Sequence, residues 1–244
     1  MSEPLTPADF TADSSAGPVA VLFDMDGTLV DTEVLWWETA DEIAAALGHR
    51  LTDADAPEVV GRAVADTAAH LIRVTGVPYE AHAQKVAAEL TESFFRRVAA
   101  GAPPRPGARR LLAELERARV PFALVSASPR SVVDSVVGGS LADVPFAFTL
   151  SADDTVRTKP HPDPYRAAAE RFGAAPGACV AVEDSPDGTA SAEAAGCPVL
   201  VVPSLLPVGP GAGRYVVKSL EDVDLGVLRE CAGGVARGRD SRHV

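Results

Sequence analysis

Val19-Ala20-Val21-Leu22-Phe23-Asp24-Met25-Asp26-Gly27-Thr28 joins an unbroken apolar run to two carboxylates and a glycine. An apolar run without polar alternation predicts a strand covered on both faces. Three more such runs follow: Phe122-Ala123-Leu124-Val125 before Ser126, Cys179-Val180-Ala181-Val182 before Glu183-Asp184, and Pro198-Val199-Leu200-Val201-Val202 before Pro203. Helical patterns lie between them, at about 106–119, 129–138, 163–174 and 185–196. Strand alternating with helix predicts an α/β fold, a Rossmann-like doubly wound parallel sheet. Ligands bind such sheets beyond the carboxyl ends of the strands. Three of the four runs end in polar residues, which predicts one site assembled from separate strand tips.

The stretch 34–103 breaks the alternation and reads as three helices, at 34–47, 62–75 and 79–100. Leu35, Trp36, Thr39, Ile43 and Leu47 follow the spacing of a helix face. Gly48 and Gly76 are placed to stop helices. Gly101–Gly107, GAPPRPG, reads as a linker. An all-helical domain inserted after the first strand follows. The expected organisation is a core of residues 18–33 and 104–231 and a helical insertion of 34–103. Residues 1–17 and 232–244, poor in groups to bury, are expected to be flexible tails. No solenoid-period repeat is present.

Lys and Arg total 22 against 34 Asp and Glu, a net charge of −12. Such a surface repels phosphate backbones and anionic bilayers, so neither nucleic acid nor membrane is an expected partner. An anionic substrate would need a local positive site or a metal ion. Cys179, Cys197 and Cys231 form no C-x-x-C pair and give no disulfide framework. Free thiols suit a reducing compartment. The N-terminal stretch has neither a basic region nor an apolar core of the signal-peptide type. No apolar run approaches the roughly 20 residues of a membrane span. A cytoplasmic location is expected.

Asp24 and Asp26, two apart at a strand end, can share one reaction centre if the backbone turns, and Gly27 permits the turn. One carboxylate could then be a nucleophile and metal ligand, the other a proton donor and acceptor. Asp and Gly are also ordinary turn residues, so the stretch Asp24-Met25-Asp26-Gly27 alone does not decide between the two readings.

The longer stretch Asp24-Met25-Asp26-Gly27-Thr28-Leu29-Val30-Asp31-Thr32-Glu33 resembles motif I of the haloacid dehalogenase superfamily, in the subfamily of β-phosphoglucomutase and sugar-phosphate phosphatases. The resemblance implies a nucleophilic Asp24, an acid/base Asp26 and a helical cap inserted after motif I, where 34–103 lies. Val125-Ser126-Ala127-Ser128-Pro129 resembles motif II, whose hydroxyl binds phosphate; a Ser after a strand is also a common helix N-cap. Lys159-Pro160-His161-Pro162-Asp163 resembles motif III, whose lysine holds the phosphate and pairs with the nucleophile. The chain has only three lysines, Lys85, Lys159 and Lys218, against 19 arginines, which marks Lys159 as a place for a compact point charge. Val182-Glu183-Asp184-Ser185-Pro186-Asp187-Gly188 resembles motif IV. Adjacent acids at a buried strand end repel unless a cation sits between them; acidic capping of the next helix, with Ser185 as N-cap, is the simpler use of Asp184 alone.

Together the four motifs, in order over about residues 18–220, imply a Mg²⁺-dependent phosphomonoester hydrolase. Asp24, the Asp26 carbonyl and Asp184 would supply oxygens to the metal, with Glu183 direct or through water. Gly27, Thr28, Ser126, Ala127 and Lys159 would bind the phosphate. Arg62, after Gly61, matches a cap position where related enzymes touch substrate, although a lone surface arginine more often serves a salt bridge. Trp36 and Trp37 open the first insertion helix, one for its core and one free to line a cleft. His49, His70 and His82 lack metal-ligand spacing, and His161 is expected on the surface.

The alternative on the same scaffold is a phosphomutase. The β-phosphoglucomutase pattern has a His twelve residues after the nucleophile, where this chain has Trp36. It has Lys-Asn after Ser-Ala-Ser, where this chain has Pro129-Arg130. Both departures favour water as acceptor. A dehalogenase would not need Asp26, and a silent binding protein would not need the full set. Ser-Ala-Ser-Pro is similar to the hexose- and hexitol-phosphate phosphatases, so the expected partner is a small sugar or polyol phosphate. The sequence is silent on oligomeric state, and a monomer is the default expectation.

Overall fold

In the computed structural model, residues 17–60, 62 and 64–233 are described. The expected tails lie almost wholly outside these residues. The strands are β1 (Ala20–Phe23), β2 (Phe122–Val125), β3 (Thr149–Leu150), β4 (Cys179–Glu183), β5 (Val199–Val201) and β6 (Arg214–Val216). They form one parallel sheet in the order β3-β2-β1-β4-β5-β6. Register pairs Phe23 with Leu124 on one side and with Val182 on the other, so β1, β2 and β4 end together. All residues of β1, β2, β4 and β5 are buried, as unalternated apolar runs require. The edge strands β3 and β6 have two and three residues, too few to show a period.

The described chain divides into two compact units. The first takes the chain up to Leu29, Arg105–Arg130 and everything from Val144 onward. It contains the sheet, α5 (Ala108–Arg117), α7 (Asp163–Arg171), α8 (Pro186–Ala195) and α9 (Leu225–Ala232). Pro164 occupies the first turn of α7, where its missing N–H costs nothing. Ser185 caps α8 by accepting the Gly188 N–H at 3.1 Å. One core cluster packs Leu22, Val125, Tyr165, Ala181 and Val199. Asp224 caps α9 by accepting the Val227 N–H at 2.9 Å, a short helix that the sequence reading passed over.

The second unit comprises Val30–Pro104 and Ser131–Asp143. Its helices are α1 (Thr32–Ala46), α2 (Ala56–Val59), α3 (Val64–Thr75) and α4 (Tyr79–Gly101). The four-residue α2 was not expected. Gly48 and Gly76 take φ of +91° and +69° just past α1 and α3, as helix stops should. Trp36 is buried, packs edge-on against Phe94 at 5.3 Å and donates its indole N–H to the Val59 carbonyl at 2.9 Å. Trp37 packs half-buried on the same cluster. The expected linker is paired at one point, Val30 forming an antiparallel bridge with Pro104. Residues 131–143, grouped with this unit, lay outside the insertion expected from sequence. α6 (Arg130–Gly138) begins one residue before that segment.

Candidate active site

Register brings the tips of β1, β2 and β4 together, and the polar residues after them converge. Asp24 follows β1, Ser126 follows β2 and Glu183 ends β4. Asp24 donates its backbone N–H to the Val182 carbonyl at 3.0 Å, which ties the first tip to the third. Lys159 arrives from the loop before α7 and donates to Asp24 Oδ1 at 2.6 Å and to Glu183 Oε1 at 2.7 Å. Asp24, Glu183 and Asp184 each offer a carboxylate oxygen within 4.8 Å of the others. All three are buried.

This packing of like charge sets the electrostatics. Burial holds the Asp24 carboxyl well above the usual range; the Lys159 ammonium opposes this, while Glu183, Asp184 and Asp26 add to it. Asp184 is pushed up to about 6, by burial first and by the charge of Glu183, against the Ser204 and Thr28 hydroxyls that donate to it and the nearby Lys159 charge. For Lys159, burial favours the neutral amine, but Asp24 and Glu183 outweigh it and raise its pKa. The ammonium therefore supplies part of the positive charge that the adjacent acids require.

Glycine shapes the turn. Gly27 has φ of +82°, and a Cβ there would lie 2.1 Å from Asp184 Oδ2. A Cβ on Gly188 would lie 2.0 Å from Glu183 Oε2. Only glycine lets the backbone approach the two carboxylates this closely.

Thr28 is buried and donates to Asp184 Oδ1 at 3.4 Å. Ser126 is buried, donates to Asp26 Oδ2 at 3.2 Å and accepts the Ser128 N–H at 2.9 Å. It is not the N-cap of α6; Asp153 accepts the Arg130 N–H instead, at 2.8 Å. Ala127 is exposed between the two serines. Arg62 belongs to the helical unit, is exposed and donates Nε to the Pro57 carbonyl at 2.9 Å. His161 is half-buried rather than fully on the surface, with Nδ1 3.0 Å from Asp163 Oδ1.

Three residues of this network were unassigned in the sequence. Ser128 donates to Asp26 Oδ2 at 2.7 Å. Tyr165 donates to Glu183 Oε1 at 2.5 Å. Ser204 donates to Asp184 Oδ2. Ser204 follows Val202-Pro203 at the tip of the fourth apolar run, so a polar residue at that tip was the available signal. Tyr165 carried no signal, because its position in a helix reads as core.

Asp24 Oδ2 is buried and has no hydrogen-bond partner, beside two further carboxylates. An orphaned anionic oxygen in such a place fits a hard divalent cation with oxygen ligands.

Known proteins place this arrangement in a family. The model for haloacid dehalogenase-like hydrolases matches residues 19–196. Hexitol phosphatase B of Escherichia coli is 30% identical over 215 residues, covering 87% of this chain and 93% of that protein. Protein CbbY of Cupriavidus necator is 35% identical over 205 residues, covering 76% and 78%. A crystal structure of a haloacid dehalogenase family hydrolase from Deinococcus radiodurans, with bound phosphate and sodium, superposes with a TM-score of 0.70 at 28% identity, covering 91% of this chain and 99% of that one. The match spans β1 to the end of α8, and with it Asp24, Ser126, Lys159, Glu183 and Asp184: the chain belongs to the haloacid dehalogenase-like hydrolases.

Proposed function

We propose that this protein is a Mg²⁺-dependent phosphatase of small phosphorylated metabolites, with a sugar or polyol phosphate as substrate. The observation that carries the reading is the divided environment of Asp24. Its Oδ1 is held by Lys159, while its buried Oδ2 has no partner. One oxygen left for a cation, and the other beside the ammonium that would also take the phosphoryl group, is the arrangement an attacking carboxylate needs. The likeness to hexitol phosphatase B of Escherichia coli supports a sugar or polyol phosphate as the substrate class.

In this reading Asp24 attacks the phosphoryl group and becomes an aspartyl phosphate. Asp26 protonates the leaving alcohol and then takes a proton from the attacking water. Its carboxylate is aimed by the Ser126 and Ser128 hydroxyls. Lys159 holds a transferring oxygen, the backbone amides of the Gly27–Thr28 turn assist, and the Ser126 hydroxyl joins them by turning from Asp26 to the phosphoryl group when substrate is bound. Mg²⁺, held by Asp24, the Asp26 carbonyl, Asp184 and Glu183 directly or through water, would neutralise charge on the transferring oxygens when bound. Residues 34–103 serve as the cap domain, and Arg62 is assigned to substrate recognition from it.

Water rather than a sugar hydroxyl is the acceptor. Trp36 stands where the mutase pattern has its histidine, and an indole N–H spent on the Val59 carbonyl cannot exchange protons with substrate. Arg130 donates to Thr149 Oγ1 at 2.8 Å and pairs with Asp154, so its charge is already matched. Burial raises the Asp154 carboxyl, but Ser151 and Arg130 outweigh that and bring it down to about 2, so the pair stays ionised at neutral pH. We infer a reducing, cytoplasmic setting from the three buried, free cysteines; separately, no described helix is long and apolar enough to cross a membrane.

The test is phosphate release across a panel of sugar, polyol and other metabolite phosphates, with Mg²⁺ and with chelator. Mg²⁺-dependent release from one class is expected. A coupled assay should find no isomerisation of β-glucose 1-phosphate to glucose 6-phosphate with a trace of bisphosphate primer. Isomerisation faster than release would make the mutase reading correct.

A further inference from the structure

Tyr165 is wholly buried on α7 within the core of the sheet-bearing unit. A phenylalanine would fill that space with no hydroxyl to satisfy. The hydroxyl donates to Glu183 Oε1 at 2.5 Å, and Lys159 Nζ lies 5.2 Å from the centre of the same ring. One side chain thus touches both a carboxylate and the ammonium of the site.

Glu183 Oε1 receives two strong donors, Tyr165 at 2.5 Å and Lys159 at 2.7 Å. Its other oxygen receives two longer ones, the Ser185 hydroxyl at 3.2 Å and the Asp184 N–H at 3.3 Å. A carboxylate oxygen offers two lone pairs, so Oε1 is full. Lys159 meanwhile also serves Asp24 at 2.6 Å. The ammonium is shared between two anions, and the share depends on what else each anion has. Asp24 has an unpartnered oxygen. Glu183 has Tyr165. A short bond from a neutral hydroxyl to a buried carboxylate meets part of its demand without using the cation. The ring face below the ammonium adds a weak attraction that fixes its height.

We propose that Tyr165 is a positioning residue: by occupying Glu183 Oε1 it keeps the Lys159 ammonium on Asp24 and available to the transferring phosphoryl group. This rests on the phosphatase reading above. Without the hydroxyl, the buried Glu183 draws Lys159 toward itself. Asp24 then loses its fixed oxygen and the phosphoryl group loses its cation. The loss acts in the chemical step, so kcat falls and KM changes little.

The experiment compares wild type, Tyr165→Phe, Glu183→Gln and the double variant. Each is measured for kcat and KM on a phosphoester that the wild type hydrolyses, for Tm, and for affinity for beryllium trifluoride with Mg²⁺, a mimic of a carboxylate-bound phosphoryl group read by ¹⁹F NMR. Tyr165→Phe is expected to lower kcat and fluoroberyllate affinity by about tenfold or more, the scale of a misplaced catalytic group. Its KM should stay within about twofold and its Tm close to wild type. In the Glu183→Gln background the same change should have little further effect on fluoroberyllate affinity, because Tyr165 acts through Glu183. If Tyr165→Phe matches wild type in kcat and fluoroberyllate affinity, the proposal is wrong, whatever its Tm. An equal loss in both backgrounds would also overturn it, since Tyr165 would then act otherwise than through Glu183. Should Tyr165→Phe fold poorly, Tyr165→Met, which keeps bulk without hydroxyl or ring, is measured on its folded fraction by the same criteria. If wild type hydrolyses no phosphoester and binds no fluoroberyllate, the phosphatase reading itself fails, and that outcome is distinct from the other two.

Discussion

Lys159 Nζ lies 2.6 Å from Asp24 Oδ1, with the two side chains only 4% and 8% exposed. A buried ion pair gains little over a well-packed apolar pair, but breaking it strands a charge. Lys159→Met should therefore abolish activity and also destabilise the fold, by about 3 kcal/mol at pH 8. The stability loss should shrink at pH 5, where Asp24, whose pKa burial has already raised, escapes by taking a proton. Urea unfolding at the two pH values checks this, and an equal loss at both would contradict it.

In the helical unit, Asp55 is tied to its neighbours. It accepts the Thr52 N–H at 2.9 Å and His70 Nε2 at 2.8 Å, and Arg73 donates to His70 Nδ1 at 2.7 Å. Because Nδ1 accepts, His70 is neutral and its Nε2–H donates. The Thr52 N–H, helped by His70 and the Thr52 hydroxyl, overcomes burial and lowers the Asp55 carboxyl to about 2. A depressed carboxyl contributes stability that is present above its unfolded pKa, near 4, and is lost as pH falls toward 2. After solvent screening the contribution is about 1 kcal/mol. Asp55→Asn should lose this stability at pH 7 and flatten the acid dependence of the urea midpoint between pH 4 and 2. An unchanged acid dependence would count against it.

Gly27→Ala should inactivate the enzyme and cost about 2 kcal/mol or more, from a left-handed backbone and a collision with Asp184. The collision follows from a Cβ placed 2.1 Å from Asp184 Oδ2. A soluble, fully active Gly27→Ala would show that the turn relaxes freely.

Much of this site was legible in the sequence because strand tips announce themselves. Asp24, Ser126 and Glu183-Asp184 each follow an apolar run, and the parallel register brings those runs into line. The edge strands β3 and β6 were invisible because two or three residues cannot display a period. Of the two uses open to Ser126, phosphate binding and capping, the cap falls to Asp153, which is distant in sequence and joined to α6 only by tertiary structure. Tyr165 was hidden for a similar reason. Its burial is helical, but the use of its hydroxyl depends on a carboxylate 18 residues away.

Arg62 offers a check on the helical unit. Arg62→Ala should lower kcat/KM on the best metabolite of the panel by more than on a small generic phosphoester, because remote binding energy serves only substrates that reach it. An equal effect on both would return Arg62 to an ordinary surface charge.

Metal dependence is a separate expectation. Chelation should stop turnover and Mg²⁺ restore it, while Ca²⁺, with longer and looser coordination, should substitute poorly. Full activity in chelator would contradict the assignment of Asp24, Glu183 and Asp184 to a cation.

The central claim is that Asp24 is the nucleophile, and phosphate release by Asp24→Asn tests it most directly. The substitution keeps shape and removes the anion. Measured with Mg²⁺ on a phosphoester hydrolysed by the wild type, together with Tm and acid-quenched trapping of phosphoenzyme, the variant should give no release above background and no trapped phosphoenzyme, at a Tm close to wild type because Glu183 keeps Lys159 paired and one of three crowded anions is gone. Release by a folded Asp24→Asn at a rate near wild type would contradict the account.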